Sequence, residues 1–240
     1  ARWCCSGAVV VDERLRVLRP QSAPPPGEVA TRLLETNVIP GGASGVVADR
    51  RLLVDLGGFD ETLGTLADWD LWIRLAMASP VAVVPEATVG YRTHRRAMSR
   101  SVDRLRQELE VLREKYRPER EERGVEISEA ARERYYAELH HRQGRRIEAA
   151  RSHFALARRH GQRRGFTWTP LALAWPGSIR LRDRRYLRRA PDGWVEAADD
   201  WLAPLREYES RSPGVERAGN VTPRLGVLAN SQRLTSYRNE

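Results

Sequence analysis

Between Gly57 and Arg74 the chain reads GGFDETLGTLADWDLWIR, and no other stretch limits the fold as much. The paired Gly closes one element, because glycine readily takes the left-handed conformation that ends a helix. Asp68-Trp69-Asp70 then opens an apolar run. Leu71, Trp72, Leu75 and Ala76 recur there at helical spacing, which predicts a helix over 69–79 with one buried face. Carboxylates are favoured where a helix begins, since unpaired N–H groups and a partial positive charge meet them. An acid held rigidly at such a junction can face a cleft, and position with rigidity is what a general base needs.

The chain of 240 residues is 41% hydrophobic, enough to bury the core of one large domain or two small ones. Its charge is uneven. Residues 1–100 carry 12 Arg against 11 acids, whereas residues 101–240 carry 29 basic against 21 acidic side chains. The front reads as an ordinary domain and the rear as something that meets an anionic partner. Cys4 and Cys5 are adjacent, a spacing that strains a disulfide, and their use suits a reducing compartment. No apolar run reaches the roughly 18 residues that a membrane-spanning helix needs.

Taken in order, WCCSGAVVVD and Val17-Leu18 predict a hairpin, and PQSAPPPG a loop. Val29–Glu35 predicts a short helix. NVIPGGASG is a Gly-rich turn into a strand at 44–48; it has neither Gly-Lys-Ser nor GxGxxG spacing, so on sequence alone it is a tight turn. Arg50–Leu56 predicts a helix stopped by Gly57-Gly58, and Val81–Val84 and Thr88–Tyr91 predict strands around a break at Pro85-Glu86. Residues 101–117 predict a helix with Val102, Leu105, Leu109 and Leu112 buried and its charges solvated. A charged linker is expected over 118–127. Helices over 128–143 and 146–160 follow, a pair whose Tyr135, Ala137, Leu139, Ala149, Ala150 and Phe154 resemble one tetratricopeptide repeat. His140, His141, His153 and His160 read as surface histidines, since no acid or Cys stands at ligand spacing. Residues 158–189 hold ten Arg, one acid and FTWTPLALAWPG. That is the composition of an element lying on an anionic membrane surface; a short helix packed on the domain with solvated Arg weighs about equally. Trp194–Tyr208 predicts an amphipathic helix, and 210–240 a disordered tail.

GGFDE, ADWDLWIRLA and VAVVPEATVGYRTH together resemble the acceptor-side half of family 2 glycosyltransferases, inverting sugar transferases of GT-A fold. The resemblance covers residues 1–100. It implies an α/β fold, the C-terminal half of a Rossmann-like GT-A domain, followed by an α-helical extension (101–209) with the tetratricopeptide-like hairpin. It implies that Asp68 is the catalytic base. The residue before it, often Glu in the family, is Ala67 here; Asp70 suits helix capping or holding Arg74. Tyr91-Arg92-Thr93-His94 matches the segment that faces the donor diphosphate, which makes Arg92 and His94 substrate-binding residues and His94 a candidate metal ligand. Gly42, Ala43 and Ser44 become wall residues of the site, and Trp69 an acceptor platform. The nucleotide-binding half, with the Asp-x-Asp that would hold a divalent metal (Mg2+ or Mn2+), is not in these residues, so the 240 residues alone are expected to be inactive.

The function expected from this reading is transfer of a sugar from a nucleotide-diphosphate-sugar to a hydroxyl of a cell-envelope or lipid-linked glycan. The enzyme would be cytoplasmic and peripheral on the inner face of the plasma membrane. The rival readings are a non-catalytic helical adaptor on a degenerate transferase scaffold and, ranked last, a nucleic-acid binder.

Overall fold

The computed structural model describes residues 1–93, 102–175 and 177–211. The chain divides into Ala1–Arg206, which holds the sheet and nearly all the helices, and Glu207–Glu240, of which 207–211 end the last helix.

The β-branched run near the start folds as β1 (Trp3–Val11), the centre of the sheet. It turns back into β2 (Val17–Gln21) through a loop closed by Asp12, whose carboxylate accepts the Arg14 and Arg16 N–H groups at 2.9 Å. β2 pairs antiparallel with Ala8–Val11, and β3 (Val46–Ala48) pairs antiparallel with Trp3–Cys5, so the two share one edge of β1. β4 (Val81–Arg92) runs parallel along the other edge. The sequence suggested two strands here. The structure has one, and the break survives as a register shift, Ser6 facing Val84 and Gly7 facing Ala87. Pro85 has no N–H to give a ladder, so the strand bulges around it rather than ending. Residues directly opposed in a sheet share a face. Val10 is flanked by Arg19 on β2 and Tyr91 on β4, a row across three strands.

The predicted short helices form as α1 (Val29–Glu35) and α2 (Arg50–Asp55). The helix of the central stretch is α3 (Ala67–Ala78), which starts two residues earlier than its apolar pattern indicated. α1 and α3 bury Leu33, Leu34, Leu71, Trp72 and Leu75 with Trp3, whose ring stacks on Trp72 at 6.5 Å. Each such side chain contributes roughly 1.5–3 kcal/mol by leaving water. Burial and the neighbouring Cys4 push the Cys5 thiol up to about 11, so it is an inert core group.

α4 (Val102–Lys115) adds Leu109 and Leu112 to the same core. The expected linker at 118–127 is instead partly helical, α5 (Arg117–Arg123), with Pro118 in its first turn and Gly124 ending it at φ 62°. α5 has no apolar face for periodicity to reveal. Arg120 holds it, 3% exposed, with its guanidinium donating to the Arg113 carbonyl.

α6 (Glu129–Arg142) and α7 (Arg146–Arg159) pack on each other across a turn at Gly144. No tetratricopeptide repeat is detected in the pair. Ala137, Ala149 and Ala150 are buried as the resemblance required, but Tyr135 and Phe154 are about half exposed. α8 (Arg164–Ala174) crosses α7 at Gly165, where a β-carbon would stand 2.2 Å from the His153 carbonyl oxygen. This close approach buries His141 and His153, with His153 stacked on Trp168, so these two histidines are not on the surface; His140 is buried as well. α9 (Ser178–Leu187) lies on β2. α10 (Trp194–Arg211) covers Val9, Val11 and Leu15 with Ala198, Trp201 and Leu202. Gly7 and Gly90 leave room for its rings: a β-carbon there would stand 2.4 Å from Trp194 and 3.1 Å from Trp201. The molecule is therefore a mixed α/β sheet core followed by a helical region.

Candidate active site

A cleft of about 1040 Å³ is bounded on one side by the sheet row and the start of α3, and on the other by α6, α8 and α9. Asp68 enters it from the first turn of α3. Its Oδ1 accepts the Trp69 N–H at 2.6 Å. It has no ion-pair partner among the described residues, and burial raises its pKa above the ordinary carboxylate value.

Three features set that carboxylate in place. The first is the Gly-rich turn. Gly41 lies over Ala8 and Val89, leaving no room for a side chain, and its N–H donates to Gln21 Oε1. Gly42, at φ +59°, comes so near that a β-carbon would be 3.8 Å from Asp68 Oδ2 and 3.7 Å from the Tyr91 ring. The second is Glu108 of α4. Its two oxygens accept the N–H groups of Gly64 (3.0 Å), Thr65 (2.8 Å) and Leu66 (2.8 Å), the residues that lead into α3. The sequence assigned this acid to a solvated face; it is 6% exposed, because it gathers the N–H groups of the turn that leads into α3. The third is the Asp70 socket. Asp70 is fully buried. It accepts from Arg74 Nε (2.9 Å) and Nη2 (2.6 Å) and from Tyr116 Oη (2.6 Å), and pairs with Lys115 Nζ at 2.8 Å. Arg74 also donates to the carbonyls of Leu56 and Gly58, pinning the Gly57-Gly58 turn. Lys115, the one lysine of the sequence, reaches Asp60 of GGFDE at 2.8 Å. Most of the central stretch is thus a scaffold around Asp68.

The other expected site residues scatter. Gly42 joins Asp68 in the cleft, whereas Ala43 and Ser44 are exposed outside its lining. Trp69 also lines the cleft, but it is 7% exposed and its indole N–H donates to the Leu33 carbonyl at 2.6 Å, so most of its ring packs in the core. Arg92 donates to the Glu13 carbonyl at the end of β4 and does not line the cleft. His94 lies outside the described residues. No group of three His, Cys, Asp or Glu side chains that could hold a metal exists among the described residues.

Sequence reasoning missed Tyr91 and Arg19. Tyr91 sits in the cleft beside Asp68, and its pKa is raised by burial and by that carboxylate, with Arg19 opposing. The signal was available, since both are cross-strand neighbours of Val10. It becomes readable only once the register is known.

Residues 29–120 match the model of glycosyltransferase like family 2. That segment carries the family 2 fold, and it contains Gly42, Asp68, the Asp70 socket and Glu108. It leaves outside β1, β2 and the helices from α6 onward, so nearly two thirds of the residues that line the cleft lie beyond the family 2 segment. No curated protein and no solved structure matches the chain.

Proposed function

We propose that this chain is the acceptor-side part of an inverting glycosyltransferase that uses a nucleotide-diphosphate-sugar. Asp68 is its general base. The observation that carries the reading is a rigidly held, desolvated carboxylate with no cation paired to it among the described residues, set in a cleft of a family 2 segment. Asp68 takes the proton of the acceptor hydroxyl while that oxygen bonds to the anomeric carbon. The bond from that carbon to the diphosphate breaks on the opposite side, and the nucleoside diphosphate leaves with the electron pair. A pKa raised by burial makes Asp68 a stronger base than a free carboxylate. A divalent metal for the donor diphosphate belongs to the same reading and would be held outside the described residues. The acceptor is a hydroxyl of a cell-envelope or lipid-linked glycan.

Asp68→Asn in the intact enzyme tests this. Transfer falls about 10²–10⁴-fold, the contribution of a positioned base. The fold does not weaken. A carboxyl whose folded pKa is raised stabilises only while protonated, and that contribution is lost as pH rises through the folded pKa. At neutral pH the Asn variant therefore melts no lower than the parent, and slightly higher. Unchanged transfer would remove Asp68 from the mechanism and favour the adaptor reading.

Attachment to an anionic membrane surface is a second element of the proposal. Ile147, Phe154, Phe166, Leu173 and Trp175 are exposed on α7, on α8 and just after it, with Arg151, Arg158 and Arg159 among them. Trp168, by contrast, faces inward. Phe154→Ser with Phe166→Ser would release the protein from vesicles containing phosphatidylserine; unaltered co-sedimentation would argue against this face.

A further inference from the structure

Across the cleft from Asp68 the charges do not balance. Glu138 of α6 is approached by three guanidiniums: Arg142 Nε at 2.9 Å, Arg19 Nη2 at 3.2 Å and Arg182 Nη2 at 3.7 Å. Asp183 takes a second bond from Arg142 at 2.9 Å. Three cations thus share two carboxylates. Arg182 is 9% exposed, yet its Nε and Nη2 have no hydrogen-bond partner, and neither has Arg19 Nε. Unused donors on a buried cation are costly, and a purely structural strap would have used them. All three Arg line the cleft, and the exposed Arg185 and Arg189 stand at its rim.

Their position is set by the sheet. Arg19, Val10 and Tyr91 form one row, with adjacent strands about 4.8 Å apart, and Tyr91 feels the charges of both Arg19 and Asp68. The cationic cluster therefore begins two strand spacings, roughly 10 Å, from Tyr91, which stands beside the base. A planar carboxylate is satisfied by the fork of one guanidinium. Open N–H groups on two guanidiniums from different elements suit a tetrahedral oxyanion with more acceptor oxygens.

We infer that Arg19, Arg142 and Arg182 form a phosphate-recognition subsite, so that the acceptor carries a phosphate or phosphodiester close to the hydroxyl that receives the sugar. This rests on the glycosyltransfer reading for the word acceptor; the subsite itself does not. Burial holds Arg182 below the usual guanidinium range, and the three cations hold Glu138 down at about 2, so Glu138 stays ionised and leaves the cluster a net positive charge with Asp183.

The test is calorimetry on the 240-residue chain at fixed ionic strength, with phenyl phosphate as probe and methyl glucoside as the neutral control. Phenyl phosphate binds and methyl glucoside does not. Arg182→Gln and Arg19→Gln each weaken phenyl phosphate binding at least tenfold, while Arg14→Gln, a change at an exposed arginine of the hairpin turn, leaves it alone. If Arg182→Gln does not fold, Arg182→Lys serves: it keeps the charge, loses the fork and still weakens binding. Equal binding by the Arg182 and Arg14 variants, or none by the parent chain, overturns the inference. Uridine diphosphate bound more than tenfold tighter than phenyl phosphate, and lost in Arg182→Gln, assigns the subsite to the leaving group and overturns the acceptor assignment. Asp68→Asn keeps phenyl phosphate binding. Failure of the subsite thus shows in binding with transfer by the intact enzyme still dependent on Asp68, and failure of the catalytic reading shows in the reverse.

Discussion

The core behind α3 and the cleft in front of it use the same residue types and settle their charges differently. Asp70 is answered by Arg74, Lys115 and a tyrosine hydroxyl, and it makes a rigid joint. Asp68, two residues earlier, has only a neighbouring N–H, and Arg182 across the cleft has donors to spare. At Asp70 complete pairing holds the fold. At Asp68 and Arg182, both facing the cleft, incomplete pairing leaves charge and donors that a ligand would satisfy, offsetting the cost of burying them.

The contrast breaks most sharply at Asp70. Asp70→Ala removes the carboxylate shared by Arg74, Lys115 and the buried Tyr116 hydroxyl; Arg74 keeps the Leu56 and Gly58 carbonyls and Lys115 keeps Asp60, so the change destabilises by about 3 kcal/mol, the low end for a broken buried pair. Urea unfolding followed by tryptophan fluorescence reads this, and a loss as small as that of a surface mutation would mean the socket is slack. The paired Asp68→Asn variant should show the opposite pattern, with stability kept and transfer lost.

A smaller effect is expected at Glu108. Glu108→Ala leaves the N–H groups of Gly64, Thr65 and Leu66 without their acceptor, at a cost of about 1–3 kcal/mol. Because it sets the entry to α3, transfer by the intact enzyme drops mainly in kcat, and Glu108→Gln recovers part of it. A kcat equal to the parent's in the Ala variant would show that Asp68 is placed without Glu108.

The mildest probe is acid. Burial lowers the pKa of His141 to about 4 and of His153 to about 3, from 6.5. Both are neutral in the fold and bind protons more readily when unfolded. Stability is therefore full above about pH 6.5, falls as pH drops, and stops falling from these groups near pH 3. Glu138 adds a loss between about 4.5 and about 2. Melting measured from pH 7.5 to 4 should show this slope, and His153→Gln should flatten it. A slope unchanged in that variant would mean that His153 is solvated.

By itself the sequence determined the local elements. Apolar spacing placed α1, α3, α4, α6 and α7, the β-branched run placed β1, and the motif GGFDE with DWDLWIR pointed to the segment that the family match covers. These are properties of short windows, where period and capping act between near neighbours. Tertiary structure decided everything that depends on which windows meet. It buried Glu108, His141, His153 and Trp69, which have the composition of surface or site residues, because α4, α7, α8 and α1 close over them. It made α5 a helix without an apolar stripe. It turned part of a basic run from 158–189, legible only as charge, into a cleft wall, because α9 lies on β2 and brings Arg182 to Arg19 and Glu138. A charge has no intrinsic role in a sequence; its role follows from what faces it, and pairing across 119 positions of chain, from Arg19 to Glu138, is settled only when the sheet and the helices pack.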